Sequence, residues 1–187
     1  MGRPARIDRT QVLAEALALA DEEGLEALTM AGVAERLGVT PMALYRHVAN
    51  KADLLDGLVE LLLTEFPPPA SGLSWSERLS ALAVNIRASA RRHPSVFPLL
   101  LQRPATTAEA RQTRNAVYVA LGDAGVPEDR VAQVERLVST AVLGFAVSEA
   151  AGRFRNHSRR QLDADFDVLQ KLLSTFIEAQ SSSEASA

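Results

Sequence analysis

Residues 29–55 read TMAGVAERLGVTPMALYRHVANKADLL, with two short amphipathic runs joined by Leu37-Gly38-Val39-Thr40 at their centre. Thr29 offers a side-chain oxygen to cap the first run, and Thr40 followed by Pro41 is a cap with proline at the first helical position of the second. Gly38 suits a tight turn because glycine enters positive φ without a Cβ clash. Two short helices with that turn chemistry predict a helix-turn-helix. Its second helix, Thr40 to His47, would lie with its N-terminal residues against base edges in a DNA major groove.

Spacing separates the faces of that second helix. Leu44 and Val48 share an apolar face with Val33 and Leu37 of the first, so they are expected in the core. Met42 and Arg46 lie on a different face that is free to meet DNA. Arg46 is suited to a guanine edge, and Met42 or Ala43 to a thymine methyl. Tyr45, His47 and Lys51 then fall where phosphate contacts would hold the helix in register. Lys51 opens a helix capped by Asn50, with Asp53 three residues after the cap, so unpaired amides and the helix dipole add to its attraction for an anion.

Outward from this stretch the chain reads as all-α, because apolar residues recur at helical spacing and period-two alternation is hard to find. Val12, Leu13, Ala16, Leu17 and Ala20 mark a first helix with Asp8 as cap and Gly24 as stop. Ahead of it Arg3, Arg6 and Arg9 form a basic arm. Arg3 and Arg6 suit a narrow minor groove, or serve only as a disordered terminus. The helix capped by Asn50 runs to about Phe66, where Pro67-Pro68-Pro69-Ala70-Ser71-Gly72 ends it. That segment marks a domain boundary and is either a hinge or a simple terminator.

Beyond it, Ser74-Trp75-Ser76-Glu77 is a capping box for a helix closed by His93-Pro94. A short element follows through Leu101, and Thr106 with Glu109 repeats the capping spacing for a helix ending near Gly125. Pro127 starts a long apolar helix to about Gly152, Arg153 to Arg160 is a polar connection, and a last helix covers Leu162 to Ala179. The expected organisation is a DNA-binding unit over 1–49, a connecting helix over 50–66, an effector-binding and dimerisation unit over 73–180, and a disordered tail over 181–187.

Composition limits the function. A net charge of −3 and a pI near 5.7 exclude a molecule coated in positive charge, so any DNA contact must be local. Zero cysteines exclude thiolate chemistry and Cys-rich zinc sites. Neither a metal nor another cofactor is expected, and no catalytic residue is assigned. His47, His93 and His157 lie far apart, and HExxH, GxSxG and phosphate-loop patterns are missing. The N-terminus has no apolar secretion core, and the longest apolar stretch, Leu54 to Phe66, is broken by Asp56 and Glu60. A cytoplasmic protein without a membrane partner is expected.

Taken together, Thr29, Ala34, Gly38-Val39-Thr40, Tyr45-x-His47 and Asn50-Lys51 before an apolar helix resemble the DNA-binding domain of the tetracycline-repressor (TetR) family. The resemblance covers Gly24 to Leu55, within the first third of the chain. It implies a homodimer joined through its last two helices, an effector pocket in the larger domain, and a fourth helix that relays ligand binding to the heads. It further implies phosphate contacts at Thr29, Thr40, Tyr45, His47 and Lys51, and base-facing positions at Pro41, Met42 and Arg46. Ala49 departs from the pattern, since many relatives carry a polar or basic residue there. The implied partners are a palindromic double-stranded operator and an unidentified small molecule, with repression as the outcome.

Small residues at Ala141, Gly144, Ser148 and Gly152 line one side of the long apolar helix and allow a partner helix to approach closely. Val138, Val142, Phe145, Leu169, Leu172, Leu173, Phe176 and Ile177 offer apolar surface for a bundle, an intrachain core, or both. Asn85, His93, Phe97, Asn115, Tyr118, Phe145 and Glu149 are the candidate ligand residues, being polar or aromatic groups on helices that would enclose a pocket. The competing function is a helical ligand-binding or interaction protein whose DNA-binding head is degenerate.

Overall fold

The computed structural model describes residues 7–67, 69–70, 72–103 and 108–181, without the side chains of residues 108–110. The candidate arm residues Arg3 and Arg6, the Thr106 cap, Pro68 of the proline segment and the tail beyond Ser181 lie outside the described residues. Among the described residues all regular structure is helical.

Helix α1 spans Arg9–Glu23. Asp8 accepts from the Gln11 amide at 2.8 Å while Gln11 Oε1 accepts from the Asp8 amide at 3.0 Å, which satisfies two free donors at once. Gly24, at φ 88°, ends the helix, and a short 3-10 turn, Leu25–Ala27, leads on to α2, Met30–Arg36. Thr29 Oγ1 accepts from the Gly32 amide at 3.0 Å, as the capping reading requires. Gly38 adopts φ 66° in the turn to α3, Pro41–Leu44.

That helix is shorter than the expected Thr40–His47. The amides of His47 and Val48 both bond to the Leu44 carbonyl, so the chain turns out of helix after Leu44. Leu44 and Val48 are buried with Val33 beneath them, and each contributes about 2 kcal/mol through burial. Asn50 Oδ1 then caps α4, Lys51–Thr64, by accepting from the Asp53 amide at 3.0 Å.

The remaining helices are α5, Trp75–Arg92; α6, Leu99–Gln102; α7, Ala108–Asp123; α8, Glu128–Ala150; and α9, Arg159–Ser181. Helix α5 opens on the Ser74–Glu77 capping box and stops at His93, as read from sequence. It packs on α7 and α8, α8 also meets α9, and α4 joins this body through α6 and α7. One buried apolar cluster runs from Val12 in α1 to Ile177 in α9, so the core is continuous across the proline segment.

Two readings are corrected here. Helix α9 begins at Arg159, ahead of the expected Leu162, because Ser158 Oγ accepts from the Gln161 amide and Gln161 Oε1 accepts from the Ser158 amide at 2.8 Å. The long apolar segment of the chain is α8 rather than Leu54–Phe66. By length and composition alone α8 would reach across a bilayer, but it turns Val131, Val134, Val138, Val142 and Ala146 into the core.

Candidate nucleic-acid interface

Helix α3 presents two faces of opposite character. Leu44 anchors it in the core, whereas Met42 is 72% exposed and Tyr45 49% exposed. Thr40, Pro41, Arg46 and Lys51 are also exposed, and Ala43 and His47 are half-buried. A large apolar side chain and an aromatic ring held out in solvent, next to an arginine, contribute little to folding and leave this face of α3 open. The exposed Thr29 oxygen caps α2 as an acceptor, which leaves its hydroxyl hydrogen to donate outward. Thr40 makes no side-chain cap bond. These side chains and Lys51, the first residue of α4, are the ones the sequence singled out.

The ends of this surface are held by a residue whose role the sequence did not reveal. Arg9 was read as part of a basic arm, but it is the first residue of α1 and faces inward to the junction of α3 and α4. Its guanidinium donates to the His47 carbonyl at 2.9 Å and to Asp53 Oδ1 at 2.9 Å. Asp53 Oδ2 accepts from the Ala49 amide at 2.7 Å. One carboxylate therefore fixes the strand of chain between the two helices from both sides. The Arg9 hydrogen bond, followed by the Ala49 amide, holds the Asp53 carboxyl below its usual range. Arg9 also neutralises an acid that would otherwise oppose an anion at Lys51.

The seven candidate ligand residues are spread over α5, α7, α8 and the segment after α5, and none is among the described residues lining the cavity beside α4. Glu149 accepts from Arg87 at 2.6 Å and from Arg91 at 2.7 Å, and both arginines also reach Asp163. Burial pushes the Glu149 carboxyl up, but the bonds from Arg87 and Arg91 outweigh it and hold it below the usual range. Phe145 lies 5.3 Å from the Phe166 ring, and the Arg87 guanidinium sits over both rings. Phe97 is fully buried core. Tyr118 packs half-buried against the core, Asn85 is half-buried and Asn115 is exposed. His93 joins elements, with Nδ1 2.7 Å from Asp21 of α1 and Nε2 3.0 Å from Glu65 after α4.

A cavity of about 250 Å³ lies elsewhere, at the junction of α4, α5 and α7. Leu63, Phe66 and Leu82 are its buried apolar side, and Pro67, Pro69 and Ala116 add apolar walls. Thr64, Gln112 and Thr113 supply its polar groups. Sequence reasoning missed these residues because they are ordinary apolar and neutral side chains with no motif of their own.

Comparison with known proteins is consistent across both matched segments of the chain. Residues 12–58 match the family described as bacterial regulatory proteins, tetR family, and residues 67–186 match the tetracyclin repressor-like C-terminal domain. The repressor DrrR1 of Streptomyces coeruleorubidus is 28% identical over 172 residues, covering 88% of this chain and 64% of the relative. The class D tetracycline repressor of Escherichia coli is 39% identical over 92 residues, 48% of this chain and 42% of the relative. The chain thus spans less than two thirds of the length of either relative. Among solved structures, BioQ with its double-stranded DNA operator superposes with a TM-score of 0.78 at 28% identity, covering 93% of this chain and 99% of that one. A TetR variant from Acinetobacter baumannii with minocycline superposes with a TM-score of 0.81 at 28% identity, covering 94% and 99%.

Proposed function

The chain belongs to the tetR family of bacterial regulatory proteins, and from that premise we propose that it is a dimeric cytoplasmic repressor that leaves its operator when a small effector binds. The observation that carries this reading is the two-sided α3, with Leu44 buried and Met42, Tyr45 and Arg46 displayed. Residues 1–49 would form the reading head, 50–66 the connecting helix, and 73–180 the effector and dimer unit. Pro41, Met42, Ala43 and Arg46 face the bases in this proposal. Thr29, Thr40, Tyr45, His47 and Lys51 hold phosphates, with Arg3 and Arg6 as a flanking arm. BioQ with bound operator and TetR with bound minocycline support the two binding roles by likeness. A two-fold dimer sets its reading helices about 34–36 Å apart or somewhat more, so the operator is a near-palindrome.

The test is binding of the purified chain to the DNA flanking its own gene, across a salt series and against unrelated competitor DNA. Tight, salt-sensitive, competitor-resistant binding is expected. Arg46→Ala should relax selectivity at one base position of each half-site, while Lys51→Ala should weaken all sequences alike and lower the salt slope by about one. Binding no stronger than to competitor, repeated in a genome-wide selection of bound fragments, would leave the helical ligand-binding module with a degenerate head.

A further inference from the structure

We propose that Met42 is a modification site, its thioether being oxidised by peroxide to a sulfoxide that weakens operator binding. The inference rests on the reading above that α3 faces the bases, and it adds regulation at that same surface.

Access to the sulfur is the first argument. The chain has three methionines and no cysteine, so all its oxidisable sulfur is thioether. Met1 lies outside the described residues. Met30 is half-buried and packs against the core, whereas Met42 is 72% exposed on the face of α3 that also carries Arg46. Susceptibility to oxidation follows that exposure. A thioether has no proton to lose before it reacts, unlike a thiol, which must first become a thiolate. A lone pair of the Met42 sulfur attacks one oxygen of hydrogen peroxide, an S–O bond forms and the O–O bond breaks. The departing hydroxide takes the proton left on the transferred oxygen and leaves as water. Sulfur loses two electrons and the peroxide gains them. Methionine sulfoxide reductases, one for each epimer, reverse the step with a dithiol as reductant, so the change can act as a switch.

The place of that sulfur is the second argument. Leu44 and Val48 are buried at either end of the turn that follows α3, so the helix cannot rotate Met42 off its outer face without drawing them from the core. Against a thymine methyl the thioether makes an apolar contact. The sulfoxide oxygen is a strong acceptor with no proton to give, and the groove beside that methyl presents the O4 acceptor. The new oxygen therefore gives up its water without a partner in the contact. A polar group left unpaired in this way is enough to lower affinity about ten-fold.

The test treats the full chain with hydrogen peroxide in metal-free buffer. Peptide mass spectrometry follows oxygen uptake at each methionine, and titration follows binding to the DNA flanking its own gene or to the tightest fragment from a genome-wide selection. Met42 should gain oxygen several-fold faster than Met30, with helicity by circular dichroism unchanged. Oxidation of Met42 should weaken binding by about ten-fold or more, and the reductases with a dithiol should restore it. Met42→Leu, whatever its own affinity, should bind alike before and after treatment. Saturating DNA should slow oxidation of Met42 and leave that of Met30 unchanged. Met30 reacting as fast as Met42, equal oxidation of Met42 with and without DNA, or an equal loss of binding in treated Met42→Leu would overturn the proposal. Untreated protein that binds no DNA would remove the repressor reading and this inference together. Untreated binding that survives complete oxidation of Met42 would remove this inference alone.

Discussion

Asp53 is an acid in the first turn of α4, two residues after the lysine proposed to meet a phosphate. Its carboxylate takes the Arg9 guanidinium on one oxygen and the Ala49 amide on the other. Because the folded carboxyl titrates below its ordinary value, the interaction stabilises the fold above the unfolded value near pH 4 and is lost as the pH falls through the folded one. Urea midpoints taken between about pH 6 and pH 3 should therefore fall more steeply in the wild type than in Asp53→Asn. An identical slope in the two proteins would show that the brace carries no linked proton. Arg9→Ala should cost about 1 kcal/mol, a modest value because both partners remain partly solvated, and should lower operator affinity by freeing residues 47–50. The exposed side chains of α3 could be read from helical spacing around Leu44. The role of Arg9 could not, because its partner lies 44 residues away.

At the scale of elements, the approach of α1 to α4 depends on Gly57. A Cβ built there would collide with Leu13 Cδ2 and stand 3.0 Å from Leu13 Cδ1 and 3.2 Å from an Arg9 nitrogen. Leu13 is buried and has little freedom to move aside. Gly57→Ala should therefore destabilise by about 1–2 kcal/mol in spite of the gain in helix propensity. Gly122 in α7 has nothing within 4 Å of the same built atom, so Gly122→Ala should stabilise by about 0.5–1 kcal/mol. Chemical denaturation of the pair checks the opposite signs, and two shifts in one direction would refute the packing argument. Helix starts were legible at Asp8, Thr29 and Ser74, where a cap and its partner lie three residues apart. The Ser158–Gln161 pair carried the same signal and was overlooked among arginines that read as a polar connection.

Across the whole molecule, His93 ties the body to the head through Asp21 and to the connecting helix through Glu65. Removing the ring leaves two partly buried carboxylates without that partner, so His93→Ala should cost about 1–3 kcal/mol. A double-mutant cycle with Asp21→Asn should return a coupling of about 1 kcal/mol; zero coupling would show the contact to be incidental. Arg92 pairs with Glu65 as well, which makes the end of α4 a meeting point of charges from the body. On the outer side, Leu137 of α8 with Val168 and Leu172 of α9 are more than half exposed. If these helices pair with a second copy, Leu172→Arg should yield monomers of unchanged helicity in sedimentation and circular dichroism, with operator affinity lost together with the dimer. A dimeric, fully binding Leu172→Arg protein would place the interface elsewhere.

By itself the sequence determined the helical class, the positions of the caps and glycine turns, the buried and exposed faces of α3, and the resemblance to one family. These rest on interactions within about one helical turn, where residue identity and spacing settle the geometry. Only the tertiary structure decided that Arg9 braces Asp53, that Glu149 pairs with Arg87 and Arg91, and that the cavity lies against the end of α4. Those outcomes join residues 44 to 62 positions apart or depend on the gaps left between packed helices. Helix packing sets such distances, and no local pattern along the chain encodes them.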